Sequence, residues 1–121
     1  MLRRLLKKLD LQKTRRYLRL PAPWPVKLEP LLNPTERHVT TATDISSGGI
    51  SVILPKKFPV KTPVRIEIYI PPVDQTVQAE GEVLRCLPLR ASRFELGIQF
   101  LKINPKDQAT LTKAVERFRK R

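Results

Sequence analysis

"VRIEIYI", Val64 to Ile70, alternates without a break. Val64, Ile66, Ile68 and Ile70 point one way, and Arg65, Glu67 and Tyr69 the other. A period of two is that of a pleated strand with one face buried. The same texture recurs on both sides of it. "VKL" (26–28) is a short apolar-polar-apolar run, and "RHVTTAT" (37–43) is rich in β-branched residues. "GISVIL" (49–54) follows directly on Gly48. "TVQAEGEVLRC" (76–86) alternates through Val77, Ala79, Gly81 and Val83, and "FELGIQFLK" (94–102) through Phe94, Leu96, Ile98 and Phe100. These make six strands, separated by connections rich in Pro, Asp, Ser and Asn. Short antiparallel strands at this spacing predict a mainly β protein, a small barrel or a sandwich. Closing a barrel would remove the exposed edges that six short strands otherwise present.

Both ends of the chain read differently. Asn104 is a helix N-cap, Pro105 a favourable first helical residue, and Asp107 lies in the first turn near the positive end of the dipole. Leu111, Ala114, Val115 and Phe118 then share one face, which predicts a C-terminal helix over 104–120 packed on the strands. At the N-terminus, Leu2, Leu5, Leu6 and Leu9 follow helical spacing opposite Arg3, Arg4, Lys7 and Lys8. Residues 1–12 therefore read as a basic amphipathic leader helix. Loose packing on the domain is favoured over membrane or partner contact, because so short a helix is marginal in water. Residues 13–25 form an arginine-bearing arm, kept extended by Pro21, Pro23 and Pro25, with Trp24 covering the edge of the core. The domain proper is 26–121.

A chain of 121 residues, 40% of them apolar, suits one domain with a modest core. The net charge of +13 suggests nucleic acid or an anionic membrane, but its distribution weakens that reading. Residues 1–19 hold eight Lys/Arg against one acid, and 102–121 seven against two. The body between them holds nine against eight. Cys86 is the one cysteine, so no intrachain disulfide forms, as suits a reducing compartment. With His38 also alone, there is no set of structural zinc ligands. No apolar run approaches a membrane span, and charges interrupt the N-terminal leucines as they would not in a signal peptide. A cytoplasmic protein is the simplest expectation.

No enzyme constellation is visible. Glu67, Glu80, Glu82 and Glu95 fall on polar strand faces, where solvated or cross-strand-paired carboxylates are the default. Two short motifs carry other chemistry. Arg15 and Arg19 lie four apart with Arg16 between, and their guanidinium forks suit phosphate and the O6/N7 edge of guanine. "DISSGG" (44–49) has the composition of a tight turn between strands 37–43 and 49–54. Asp44, Ser46 and Ser47 can fold onto backbone N–H groups, and Gly48 and Gly49 accept positive φ. Turn geometry alone explains these residues, and a solvated tail alone explains the arginines. A functional reading adds that the Asp44 carboxylate can accept from a guanine N1–H and amino group, with the Ser hydroxyls and bare glycine backbone allowing close approach.

Taken in order, the two motifs resemble those of the PilZ domain, the bacterial receptor module for cyclic di-GMP. RxxxR is met by Arg15-Arg16-Tyr17-Leu18-Arg19, and (D/N)xSxxG by Asp44 to Gly49. The resemblance continues through "GEVLRC" (81–86), "FELGIQF" (94–100) and the helix start at "NPKDQATL". It implies a six-stranded antiparallel β-barrel of split-barrel type with a C-terminal helix. It further implies that Arg15 and Arg19 contact phosphates and guanine edges, that Asp44 and Ser46 contact a guanine, and that Gly49 admits the ligand close to the backbone. Arg16 either contributes to a second ligand or faces solvent. Thr14, just before the first motif arginine, leaves open whether one ligand or a stacked pair binds. The ligand-binding set is then Arg15, Arg16, Arg19, Asp44, Ser46, Ser47, Gly48 and Gly49.

The implied function is a monomeric or weakly dimeric receptor, not an enzyme, with no cofactor besides its ligand. Binding orders the arm against the barrel and signals to a protein effector. The alternative is a PilZ-like interaction module that binds no nucleotide. A nucleic-acid-binding barrel is the third reading. The near-neutral body and the scarcity of strand aromatics, where stacking platforms would stand, count against it.

Overall fold

The computed structural model describes residues 20–119, with side chains described as far as Arg117. The leader helix expected over 1–12 and the motif residues Arg15, Arg16 and Arg19 lie outside the described residues. Six strands follow: β1 (Pro25–Pro30), β2 (His38–Ile45), β3 (Gly49–Leu54), β4 (Pro63–Ile70), β5 (Gln75–Pro88) and β6 (Phe94–Ile103). A single helix, α1 (Pro105–Arg119), ends the described chain, and a short 3-10 turn (Pro71–Val73) joins β4 to β5.

All pairings are antiparallel, and the sheet closes in the order β1-β2-β3-β6-β5-β4. Of the two expected architectures, the barrel is the one observed. The alternating residues supply its interior. Val64, Ile66, Ile68 and Ile70 of β4 are fully buried, with Val52 and Leu54 of β3, Val83 of β5 and Leu96 of β6. The opposite face of β4 carries charges paired across strands: Lys27–Glu67 at 3.8 Å, and Arg65 to both Glu29 and Glu80 at 3.5 Å.

The two ends of the barrel are closed differently. At one end lies α1, whose Leu111, Ala114 and Val115 are buried in the core. Asn104 caps it as expected, its Oδ1 accepting the Asp107 N–H at 2.8 Å. The Asp107 carboxylate also accepts the backbone N–H of Gln78 in β5 at 3.1 Å, which fixes where the helix starts on the wall. At the far end, the loops 31–37, 55–62 and 89–93 lie side by side, since Phe94 pairs with both Leu54 and Pro88 and Leu31 N–H donates to Pro63 O. There Phe58 turns inward as the plug, 3% exposed.

Two expectations are corrected. The second strand does not end at Thr43; it runs through Asp44 to Ile45, so the turn shrinks to residues 46–48. Nor do Gly48 and Gly49 take positive φ, as no glycine does among the described residues. Gly49 is needed for proximity instead: a Cβ there would drive into the carbonyl oxygen of Ile98 on β6.

Candidate functional site

Strict alternation from Ala42, which is buried, would send Asp44 into the core. The register prevents it. Ala42 faces Val52 and Asp44 faces Ser51, so Thr43 is an extra residue, a β-bulge. The extra residue reverses the parity of the strand end. Ile45 enters the core fully buried, and Asp44 turns to the outer face, half-buried. The Thr43 hydroxyl secures the bulge by donating to Ser51 O at 3.2 Å.

A second bulge does the same on β5. Val83 faces Ile98 and Arg85 faces Gly97, leaving Leu84 as the extra residue. Without it Arg85 would share the inward parity of Val83. With it, Arg85 lies on the outer face across Gly97, and its Nη2 donates to Ser51 Oγ at 3.2 Å. Gly97 provides the bed: a Cβ at that position would stand 2.7 Å from Arg85 Cζ. The registers therefore set one transverse row over four neighbouring strands, Asp44–Ser51–Gly97–Arg85. A carboxylate stands at one end of it and a guanidinium reaches in from the other, over a floor without side-chain bulk.

The turn beside this row is held by Ser46, 2% exposed. Its Oγ accepts from Gly48 N–H at 3.2 Å and Gly49 N–H at 3.1 Å, and donates to Gly49 O at 3.3 Å. Those contacts satisfy donors that burial would otherwise leave orphaned. The carbonyl of Ser47 accepts from the Gln108 side chain of α1 at 3.2 Å, and the carbonyl of Gly48 accepts from Phe100 N–H at 2.9 Å. The turn is thus tied to β6 and to the helix.

The described part of the arm, from Leu20 onward, reaches the same place. Leu20 and Ile45 exchange both backbone hydrogen bonds, at 2.8 and 2.9 Å, in an antiparallel bridge. Ala22 and Trp24 are buried in the core, and Trp24 O accepts from Ala42 N–H at 2.9 Å. Arg19 precedes Leu20 in the sequence, and Asp44 and Ser46 flank Ile45. The last motif arginine is one peptide bond from a residue bonded to the second residue of the second motif.

Asp44, Ser46, Ser47, Gly48 and Gly49 are accordingly brought together at one end of the β2–β3 pair. Arg15, Arg16 and Arg19 lie outside the described residues. Arg85 and Gly97 were not singled out from the sequence. "LRC" and "LGI" look like ordinary strand, and only a break in alternation at Leu84 hints that Arg85 changes face.

The chain has relatives among known proteins. The family model described as "PilZ domain" matches residues 13–117. The inhibitor of motility MotI/DgrA of Bacillus subtilis superposes with a TM-score of 0.75 at 24% identity, over 88% of this chain and 52% of that one. The present chain thus spans about half the length of MotI. The PilZ domain of YcgR from Escherichia coli, solved with c-di-GMP, gives 0.64 at 17% identity, over 88% of this chain and 92% of that one. The MrkH–c-di-GMP complex of K. pneumonia gives 0.64 at 15%, over 88% and 55%. No curated protein sequence matches the chain. Likenesses at these identities establish the six-stranded barrel, and the match running from the arginine arm through α1 establishes the lineage: the chain belongs to the PilZ domain family.

Proposed function

We propose that the protein is a cyclic di-GMP receptor whose N-terminal arm closes over the Asp44–Arg85 row and passes the signal to a partner protein. The observation that carries this is the Leu20–Ile45 bridge, which holds Leu20, the residue that follows RxxxR in the sequence, beside Asp44 and Ser46. The ligand brings two phosphate charges and two guanines. Arginine forks from the arm meet phosphate and the Hoogsteen edge, and the Asp44 carboxylate meets the N1–H and exocyclic amine. Gly49 and Gly97 keep the floor low enough for a planar base. Arg85 joins the proposed set, beside Arg15, Arg16 and Arg19, as a fourth guanidinium, arriving from the wall. Ser46 acts chiefly by holding the turn, since its hydroxyl is already engaged three ways.

Calorimetric titration with cyclic di-GMP tests the reading. Arg19→Ala and Asp44→Ala should each weaken binding by roughly tenfold or more, the scale of a lost hydrogen bond to a charged group. Arg85→Ala should weaken it by a comparable or smaller factor. A wild type that binds no cyclic di-GMP refutes the receptor reading and leaves a barrel that works only through protein contacts.

A further inference from the structure

The near-neutral charge of residues 20–101 conceals a strong segregation. The far-end segments 31–37, 55–62 and 87–93 hold six of its nine cations and one of its eight acids. The cations are Arg37, Lys56, Lys57, Lys61, Arg90 and Arg93, all in exposed positions. Arg37 is paired with Glu29, and Lys56 with Glu36. Lys57, Lys61, Arg90 and Arg93 have no ion pair among the described residues. Exposed aliphatic side chains stand among them: Leu32 at 87%, Val60 at 55%, Leu87 at 46% and Leu89 at 43%. These loops close the end of the barrel away from α1 and the 46–48 turn, so the feature is separate from the proposed ligand site.

We propose that this end of the barrel docks on an anionic lipid surface. Clustered Lys and Arg are attracted to acidic headgroups, and aliphatic side chains at the same level add apolar contact with the acyl boundary. A protein partner is the poorer fit. Protein interfaces are enriched in aromatic residues and depleted in Lys, and their energetic centres rarely rest on Leu or Val. Here three of the six cations are lysines, the loop aromatic Phe58 is turned into the core, and the exposed apolar groups are all Leu or Val. Leu32, Val60 and Leu89 stand on three separate loops at one end, with Leu87 at the end of β5 beside them, as contact with a broad plane requires. Lys61, Ala91 and Ser92 hold φ of 77°, 59° and 56°, so these loops keep conformations that L-residues seldom adopt.

Flotation of the full chain with phosphatidylcholine vesicles, with and without about one-third phosphatidylglycerol, tests this. The wild type should float with the anionic vesicles only, and less as salt is raised. Lys57→Gln/Lys61→Gln and Arg90→Gln/Arg93→Gln should each lower the partition on the order of tenfold or more. Leu32→Ser/Leu89→Ser should lower it at unchanged charge, and thermal unfolding checks that each variant is folded. Folded loop variants that float as well as the wild type overturn the proposal. That includes the case in which Arg3→Gln/Arg4→Gln/Lys7→Gln/Lys8→Gln abolishes binding, which would assign it to the N-terminal segment. Absence of flotation by the wild type overturns it as well. Salt-sensitive retention on poly-glutamate, lost in the same loop variants, would then assign the surface to an acidic protein.

Discussion

At the scale of single residues, the glycines separate stability from binding. A Cβ at Gly49 or Gly81 meets a backbone carbonyl oxygen, of Ile98 or Gln99, which cannot step aside. Gly49→Ala and Gly81→Ala should therefore cost about 1–3 kcal/mol in denaturant unfolding, the usual penalty for overpacking. A Cβ at Gly97 meets the Arg85 side chain, which can swing away. Gly97→Ala should leave stability nearly unchanged and weaken the proposed cyclic di-GMP binding to the same degree as Arg85→Ala. Equal losses of stability at all three positions would contradict this division. Ser46→Ala removes the acceptor of two turn N–H groups and should cost about 1–3 kcal/mol, read as a shift in the unfolding midpoint. The composition of 44–49 announced a turn, and a turn is present. What it could not convey was the role of each glycine, because closeness to β6 belongs to the register and not to the dipeptide.

At the scale of elements, alternation located β4, β5 and β6, β-branched residues located β2, and Asn104, Pro105 and Asp107 located the helix. The bulges escaped because one inserted residue leaves composition unchanged while reversing the face of everything after it. "TATDI" contains too few apolar residues to betray the reversal at Thr43, so Asp44 looked like the start of a loop. Arg85 was hidden in the same way behind Leu84. The helix offers a direct check on how it is seated. Asn104→Ala should cost about 1 kcal/mol, as for a lost N-cap. Leu111→Ala should cost about 2–5 kcal/mol, because the side chain is fully buried between α1 and the barrel. A loss well below that range at Leu111 would mean that the helix is not seated on the barrel end.

At the scale of the whole molecule, the far-end loops are clasped by Glu36, whose carboxylate meets His38 Nε2 at 2.8 Å and Lys56 Nζ at 2.6 Å. The hydrogen bond from His38, followed by that from Lys56, holds the Glu36 carboxyl below its ordinary value of 4.5. A carboxylate depressed on folding stabilises the native state above its unfolded pKa and loses that contribution as pH falls through its folded pKa. The stability difference between wild type and Glu36→Gln should thus be present at neutral pH and shrink in acid, below the ordinary carboxylate range. A difference that does not change over that range would show the clasp to be ineffective. The sequence held Glu36, His38 and Lys56 in view, yet Lys56 lies 20 positions from Glu36, and only the folded loops bring them together.

Closure of the sheet has a consequence for how this protein can meet others. Many recognition modules capture an extended peptide by laying it along an unpaired strand, so that main-chain hydrogen bonds supply the affinity. Here β1 and β4 complete the circuit, and no strand of the barrel is left one-sided. Among the described residues, the one isolated bridge outside the six strands is that by which the chain's own Leu20 occupies Ile45. Peptide augmentation is therefore closed to an outside chain wherever the circuit is complete. Partners must be selected by side chains on the loops, the arm or the helix.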